Sequence, residues 1–199
     1  TNKKSSISKP DKRTYTIIMQ TLCNANKGRE AIALFEEMLN TCKFDPTTNS
    51  TELQIDVQTF VVLLRACGML GNINGANKVF GYMRSFKINI STEIINAFLR
   101  GCSIGGQSDV AFELIKDLEG PNLLSYNHGL NACCKSNRKD IALDLYKLME
   151  KNLIKPDVVT FTTLLKFHLL QPDIKEINRL QLEMKKYNIK PNKSTFQTL

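Results

Sequence analysis

Six cysteines, two histidines and an excess of basic side chains are the residues of this chain with the most chemistry to offer. The cysteines stand at 23, 42, 67, 102, 133 and 134, and none forms a C-x-x-C pair. His128 and His168 are the only histidines, so a zinc set is not expected. There is no Gly-rich phosphate loop, no H-E-x-x-H, and no group of spaced aspartates for a metal-dependent nuclease. The residues predict no catalytic centre, no metal site and no cofactor. The thiols are expected to be small buried side chains in a reducing compartment. Charge is the remaining chemical signal: 27 Lys and Arg against 19 Asp and Glu give +8 over 199 residues. Such a balance suits a polyanionic partner, with RNA the obvious candidate, and equally suits a solubilising surface.

The elements that would carry these side chains are helical. Hydrophobic residues make up 42% and charged residues 23% of the chain, enough to bury a core. No run of about 18 apolar residues exists, so no membrane partner is expected. The basic start at Thr1–Pro10 and the finish at Thr195–Leu199 inside an apolar pattern read as cuts through a longer protein. Any targeting segment would then be out of view.

An internal repeat organises everything between. Aromatic residues open apolar segments at Tyr15, Phe60, Tyr126, Phe161 and Phe196, with Ile95 in the same place once. Sixteen residues further on stand Ala31, Ala76, Ala111, Ala142 and Ile177; twenty-three further on stand Met38, Met83, Leu118, Met149 and Met184. Each copy, about 35 residues long, reads as two helices, because its apolar residues return at three- and four-residue intervals. The helices are separated by breaks such as Asn24–Gly28 and Ser136–Lys139. Five of the six cysteines fall late in the first helix. Copies end on Lys155-Pro156-Asp157 or Lys190-Pro191-Asn192, where proline stops the second helix. The predicted fold is all-α, a solenoid superhelix whose copies bury their apolar faces against one another. The predicted division is 1–11 as the end of a preceding copy or linker, 12–56 as copy one with an inserted loop at about 40–53, 57–91 as copy two, and 92–122 as a short copy three. Copies four and five follow at 123–157 and 158–192, and 193–199 begins a sixth.

The register, together with the segment from Leu123 to Asp157 and the Val158–Leu165 stretch after it, resembles the pentatricopeptide repeat family. The resemblance covers 12–192. It implies one RNA base per copy, read by the residue after the aromatic and the last residue of the copy. Transferred to this chain, the pairs are Thr16 with Asp56, Val61 with Ser91, Asn96 with Asn122, Asn127 with Asp157, and Thr162 with Asn192. Asn offers donors and an acceptor, Thr a hydroxyl, and Asp acceptors only; Val61 reads nothing. The site so implied is 5′-G-N-Y-U-A-3′, with the start of the chain nearest the RNA 5′ end. The bland alternative is that these residues are helix caps and turn formers. Base clamps are implied two residues before the aromatic, where Leu124 and Val159 are the expected aliphatics and Arg13, Gln58, Glu93 and Ser194 depart from the pattern.

One helical turn past the first reading position lie Gln20, Arg65, Arg100, Asn131 and Lys166. Arg65, Arg100 and Lys166 would form a phosphate-contacting track if the first helices line the groove. Carboxylates such as Glu36, Glu37, Asp144 and Glu150 crowd the second helices and should face outward. The leading expectation is a non-catalytic, sequence-selective binder of single-stranded RNA in organelle RNA processing, stability or translation. The resemblance implies a mitochondrion or plastid. No small-molecule substrate is expected. Two alternatives stand beside it. One is a scaffold in an organellar ribosome or other ribonucleoprotein, with the groove on protein or rRNA. The other is an RNA-processing enzyme whose catalytic domain lies outside this chain.

Overall fold

The computed structural model describes residues 12–41, 57–168, 173–193 and 195. Among the described residues there are ten helices and no strand. They form five antiparallel-type pairs in an α-solenoid: α1 (Lys12–Asn24) with α2 (Gly28–Thr41), α3 (Val57–Met69) with α4 (Ile73–Ser85), α5 (Thr92–Gly105) with α6 (Ser108–Asp117), α7 (Leu123–Ser136) with α8 (Lys139–Lys151), and α9 (Val158–Lys166) with α10 (Ile174–Lys186). The odd-numbered helices pack side by side along one face of the array, and each even-numbered helix backs its own partner. Asp56, Cys42, Ser194, Phe196 and residues 1–11 lie outside the described residues, as does most of the expected loop. α2 runs to Thr41, into the start of that stretch.

The pair α7–α8 explains why this sequence makes helical hairpins. The Asn122 side chain accepts from the backbone N–H of Ser125, and the Ser125 hydroxyl accepts from Asn122 N–H, so the helix opens on a capping box. Tyr126, Leu130 and Cys133, spaced by four and three residues, are wholly buried. The helix stops where Asn137 turns left-handed at φ 56° and Arg138 N–H reaches back to Cys133 O. α8 then buries Ile141, Ala142, Leu145, Tyr146 and Met149. Across the array Tyr15, Phe60, Tyr126 and Phe161 are inside, as are Ala31, Ala76, Ala111, Ala142 and the four methionines at 38, 83, 149 and 184. Ile95 is only half-buried, and its neighbour Ile94 takes the interior. Leu118 and Ile177 are also half-buried.

Cys23, Cys67, Cys102 and Cys133 are buried and Cys134 half-buried, all with free thiols. Burial pushes the thiol of Cys67 up to about 11 and those of Cys102 and Cys133 to about 12, so they stay protonated.

One junction between copies is tighter than the others. At the α3–α5 contact a Cβ on Gly101 would stand 2.1 Å from the Arg65 carbonyl oxygen, and one on Gly68 2.1 Å from that of Phe98. The two backbones touch, and only glycine permits it. Gly81, on α4, has open space beyond its Cα. Gly101→Ala is therefore expected to destabilise the chain by about 2–3 kcal/mol through forced separation of α3 and α5. Gly81→Ala should stabilise it by about 0.5–1 kcal/mol. Denaturant unfolding of the two variants checks this; a Gly101→Ala midpoint equal to the parent's would contradict it.

Candidate nucleic-acid interface

Each odd-numbered helix from α7 onward begins where the previous pair ends, so its first turn meets the start of the odd-numbered helix before it. At the α7–α9 junction Asp157 is the N-cap of α9. Its Oδ1 accepts from Thr160 N–H at 2.9 Å and from Asn127 Nδ2 at 3.2 Å. The Thr160 hydroxyl accepts from Asp157 N–H at 3.2 Å, and its single proton is shared between Asn127 Oδ1 at 2.8 Å and Asp157 Oδ1 at 2.9 Å. Thr160 is fully buried and Asn127 is 7% exposed. Buried polar groups left unmatched cost about 1–3 kcal/mol each, so this closed set fixes the Asn127 amide in one orientation. One Asn127 N–H and the Asp157 Oδ2 remain without a hydrogen bond among the described residues.

The arrangement recurs. At α5–α7, Ser125 Oγ lies 2.8 Å from Asn96 Oδ1, and Asn96 Nδ2 donates to Asn122 Oδ1 at 3.2 Å. After α9, the Thr162 and Thr195 hydroxyls meet at 2.8 Å, and Thr195 N–H and Oγ1 both give to Asn192 Oδ1 at 2.9 Å. At α1–α3, Thr16 and Thr59 share a 2.8 Å hydroxyl contact; Asp56, the other half of that pair, lies outside the described residues. The α3–α5 junction breaks the series. Val61 is half-buried, the Ser91 side chain bonds to the Glu93 carboxylate instead of capping the α5 backbone, and buried Ile94 stands where the other junctions place Ser or Thr.

The structure thus brings together three of the five residue pairs by direct or hydroxyl-bridged contact: Asn96 with Asn122, Asn127 with Asp157, and Thr162 with Asn192. Asn122 and Asp157 are also N-caps of the next helix, the plainer role weighed for them from sequence. Thr59, Ser125, Thr160 and Thr195 escaped sequence reasoning. Their signal was present in the spacings D-x-x-T, N-x-x-S and N-x-x-T, which mark a cap and its third helical residue.

A groove of about 410 Å³ crosses α1, α3, α5 and α7. Gln58, Glu93 and Leu124 line its edge, Val61 and Asn96 its floor, and Gln20, Arg65 and Arg100 its far side. Leu124 is 50% exposed and Val159, one copy further, 44%. The three basic residues differ. Arg65 is turned onto α1, donating from Nη2 to Asn24 Oδ1 at 2.9 Å. Arg100 is exposed, and Lys166 is half-buried beside Cys134. Gln20 is exposed; Asn131 accepts from the Thr163 hydroxyl at 3.4 Å. Glu36, Glu37, Asp144 and Glu150 are all exposed on the even-numbered helices.

His128, also unassigned from sequence, lines the same groove. Burial and then the Arg100 charge hold its imidazole down at about 4, so it is neutral at ordinary pH. His168 is lowered too, by burial first and Lys139 second.

Sequence profiles of known families match along the chain. That described as the pentatricopeptide repeat domain matches residues 46–102 and 149–199, the PPR repeat family 121–169, and the PPR repeat 8–39. Among curated relatives from Arabidopsis thaliana, a chloroplastic pentatricopeptide repeat-containing protein is 29% identical over 122 residues, 59% of this chain and 25% of its own length. A mitochondrial one is 25% identical, covering 63% of this chain and 20% of its own. The small ribosomal subunit protein mL103 is 23% identical over 80% of this chain and 37% of its own. This chain spans about a fifth of the length of several such relatives. Two solved structures share the fold. The maize pentatricopeptide repeat protein PPR10 superposes with a TM-score of 0.71 at 22% identity over 97% of this chain and 27% of its own; it has also been solved with an 18-nt psaJ RNA element. The PPR domain of Arabidopsis thaliana protein-only RNase P 1, solved in complex with tRNA, gives 0.58 at 18% identity over 94% of this chain and 95% of its own.

The two histidines set a pH dependence of stability. The unfolded chain takes up their protons near pH 6.5, whereas folded His128 takes up its proton only at about 4 and His168 is lowered as well, so the unfolded state binds more protons in between. Stability should be full above about pH 6.5 and fall as the pH drops toward 5. His128→Gln should flatten part of that slope in thermal melts, and an unchanged slope would contradict the burial of a neutral imidazole.

Proposed function

Because this chain belongs to the pentatricopeptide repeat family, we propose that it holds single-stranded RNA along the face of its odd-numbered helices and selects bases at the junctions between them. The observation that carries this reading is the recurring polar set. Three successive junctions keep an amide or carboxylate in a fixed orientation, with hydrogen-bonding capacity left over. An Asp157 oxygen and an Asn127 N–H side by side offer one acceptor and one donor, the complement of the uracil edge with its N–H and carbonyls. At the Asn96–Asn122 junction Asn122 Oδ1 is occupied, which leaves the Asn122 amide N–H groups to seek the carbonyl oxygens of a pyrimidine. The α3–α5 junction offers no such group. The site resembles 5′-G-N-Y-U-A-3′, read by Thr16 with Asp56, Asn96 with Asn122, Asn127 with Asp157, and Thr162 with Asn192, and unread at Val61 with Ser91.

Leu124 and Val159 give half-exposed aliphatic surface on which bases can rest, and Arg100 and Lys166 place positive charge one turn beyond. Arg65 contributes less, since Asn24 already holds its guanidinium. The chain acts by occupancy and catalyses nothing itself. Its mitochondrial and chloroplastic relatives support an organellar place of action.

A second reading is favoured by the apolar α3–α5 junction and the ribosomal relative: a structural component of a ribonucleoprotein, gripping rRNA or protein without a base code.

Titration with short single-stranded RNAs that vary the five positions, at two salt concentrations, separates the two. Selective, salt-weakened binding is expected. Asn127→Thr should move the preference at the fourth position from U toward G. Replacing Arg100 and Lys166 together should weaken every sequence alike and lower the slope of log affinity against log salt by about 1–2. Equal affinity for all sequences would remove the base code, and no binding at low salt would favour the scaffold.

A further inference from the structure

The array is irregular on its other side. α6 ends six residues past Ala111, whereas α4 and α8 end nine past Ala76 and Ala142. The missing residues amount to about one turn, or about 5 Å of helix. Beyond Asp117 the chain leaves in an extended conformation at Leu118 and turns left-handed at Gly120. Where that turn is missing, an open hollow of about 830 Å³ lies between α6 and α8. Phe112, Leu148 and Ile154 give it an apolar floor; Lys116, Lys147 and Lys151 stand on its rim against one carboxylate, Asp144. Asp144 is taken up by Lys147 at 3.1 Å. Lys116 has only an exposed 3.6 Å pairing with Glu113, and Lys151 has no ion pair among the described residues.

Leu153 is the second observation. It sits between two lining residues, Asn152 and Ile154, is 88% exposed, and has φ 57°. The equivalent left-handed residue is Lys87 after α4, Gly120 after α6 and Asn188 after α10. Left-handed backbone suits Gly and Asn and disfavours leucine. The left-handed turn holds this aliphatic side chain out in solvent beside the apolar floor, so Leu153 extends the apolar surface of the hollow outward.

We propose that this hollow docks a segment of a partner protein that carries acidic residues around an aliphatic or aromatic anchor. The anchor fills the floor beside Leu153, and the carboxylates meet Lys116 and Lys151. Nucleic acid fits less well, because leucine and isoleucine offer bases little stacking and phosphates nothing. The surface lies on the even-numbered helices, away from the face proposed for RNA, so the chain could hold both at once.

Short random peptides displayed on phage are selected on the parent protein and counter-selected on a Leu153→Asn, Lys116→Glu, Lys151→Glu variant. Peptides that need the parent residues are expected to be acidic with Leu, Ile or Phe, and to lose at least about tenfold in affinity on the variant. Leu153→Asn alone should weaken the same peptides while its Tm stays at or above the parent's, since Asn tolerates the left-handed turn. Recovery of no variant-sensitive peptide, or of basic ones, would overturn the proposal. A loss of single-stranded RNA affinity on Leu153→Asn, which leaves the charge unchanged, would overturn it in favour of nucleic acid.

Discussion

A single buried hydroxyl, three residues into an odd-numbered helix, is what the candidate site depends on. Thr160 closes the first turn of α9 by accepting from the N-cap backbone, and it ties the Asp157 carboxylate to the Asn127 amide of the helix before. Helix initiation, inter-copy packing and orientation of the polar groups are thus one interaction. Because Thr160 and Asn127 are buried and bonded to each other and to Asp157, the side chains are held before any ligand arrives, and ordering them adds little to the cost of binding. Ser125 and Thr195 do the same at the neighbouring junctions.

Two departures from regularity among the described residues have a local cause. Between α3 and α5, Gly68 and Gly101 bring backbone against backbone, and Val61 with Ile94 fills the junction with carbon. That junction is a packing joint in which no amide or carboxylate is tied across from one helix to the next. At copy three the shortened α6 withdraws one turn and opens a hollow on the opposite side. The buried alanines continue through both, at Ala76 and Ala111, but in copy three the methionine position is Leu118, which is only half-buried and lines the hollow.

Much of this was legible in the sequence. The helix pairs follow from apolar spacing and from Asn or Gly at the turns: Asn26, Gly71, Gly106 and Asn137 all adopt positive φ after an odd-numbered helix. The residue pairs at 96 and 122, 127 and 157, and 162 and 192 could be named from the family resemblance once the register was fixed. What the register could not give was depth. Asn96, Asn127 and Thr162 are less than a tenth exposed, and the residue that binds each pair together belongs to a third position. Periodicity reports which residues share a face, but the direction of an amide depends on partners some 30 residues away. The same limit hid the turning of Arg65 onto Asn24 and the placing of neutral His128 in the groove. Leu153 was invisible for a different reason: its left-handed backbone is set by the turn, which a leucine does not signal.

The claim that the junction hydroxyl orients the base-facing groups is tested most directly at Thr160. Thr160→Ser keeps the hydroxyl and Thr160→Val removes it at nearly constant volume. Each is titrated with RNAs that differ only at the fourth position. The serine variant should discriminate as the parent does, and the valine variant should lose its preference for U while retaining charge-driven affinity. Equal discrimination by all three proteins would contradict the account.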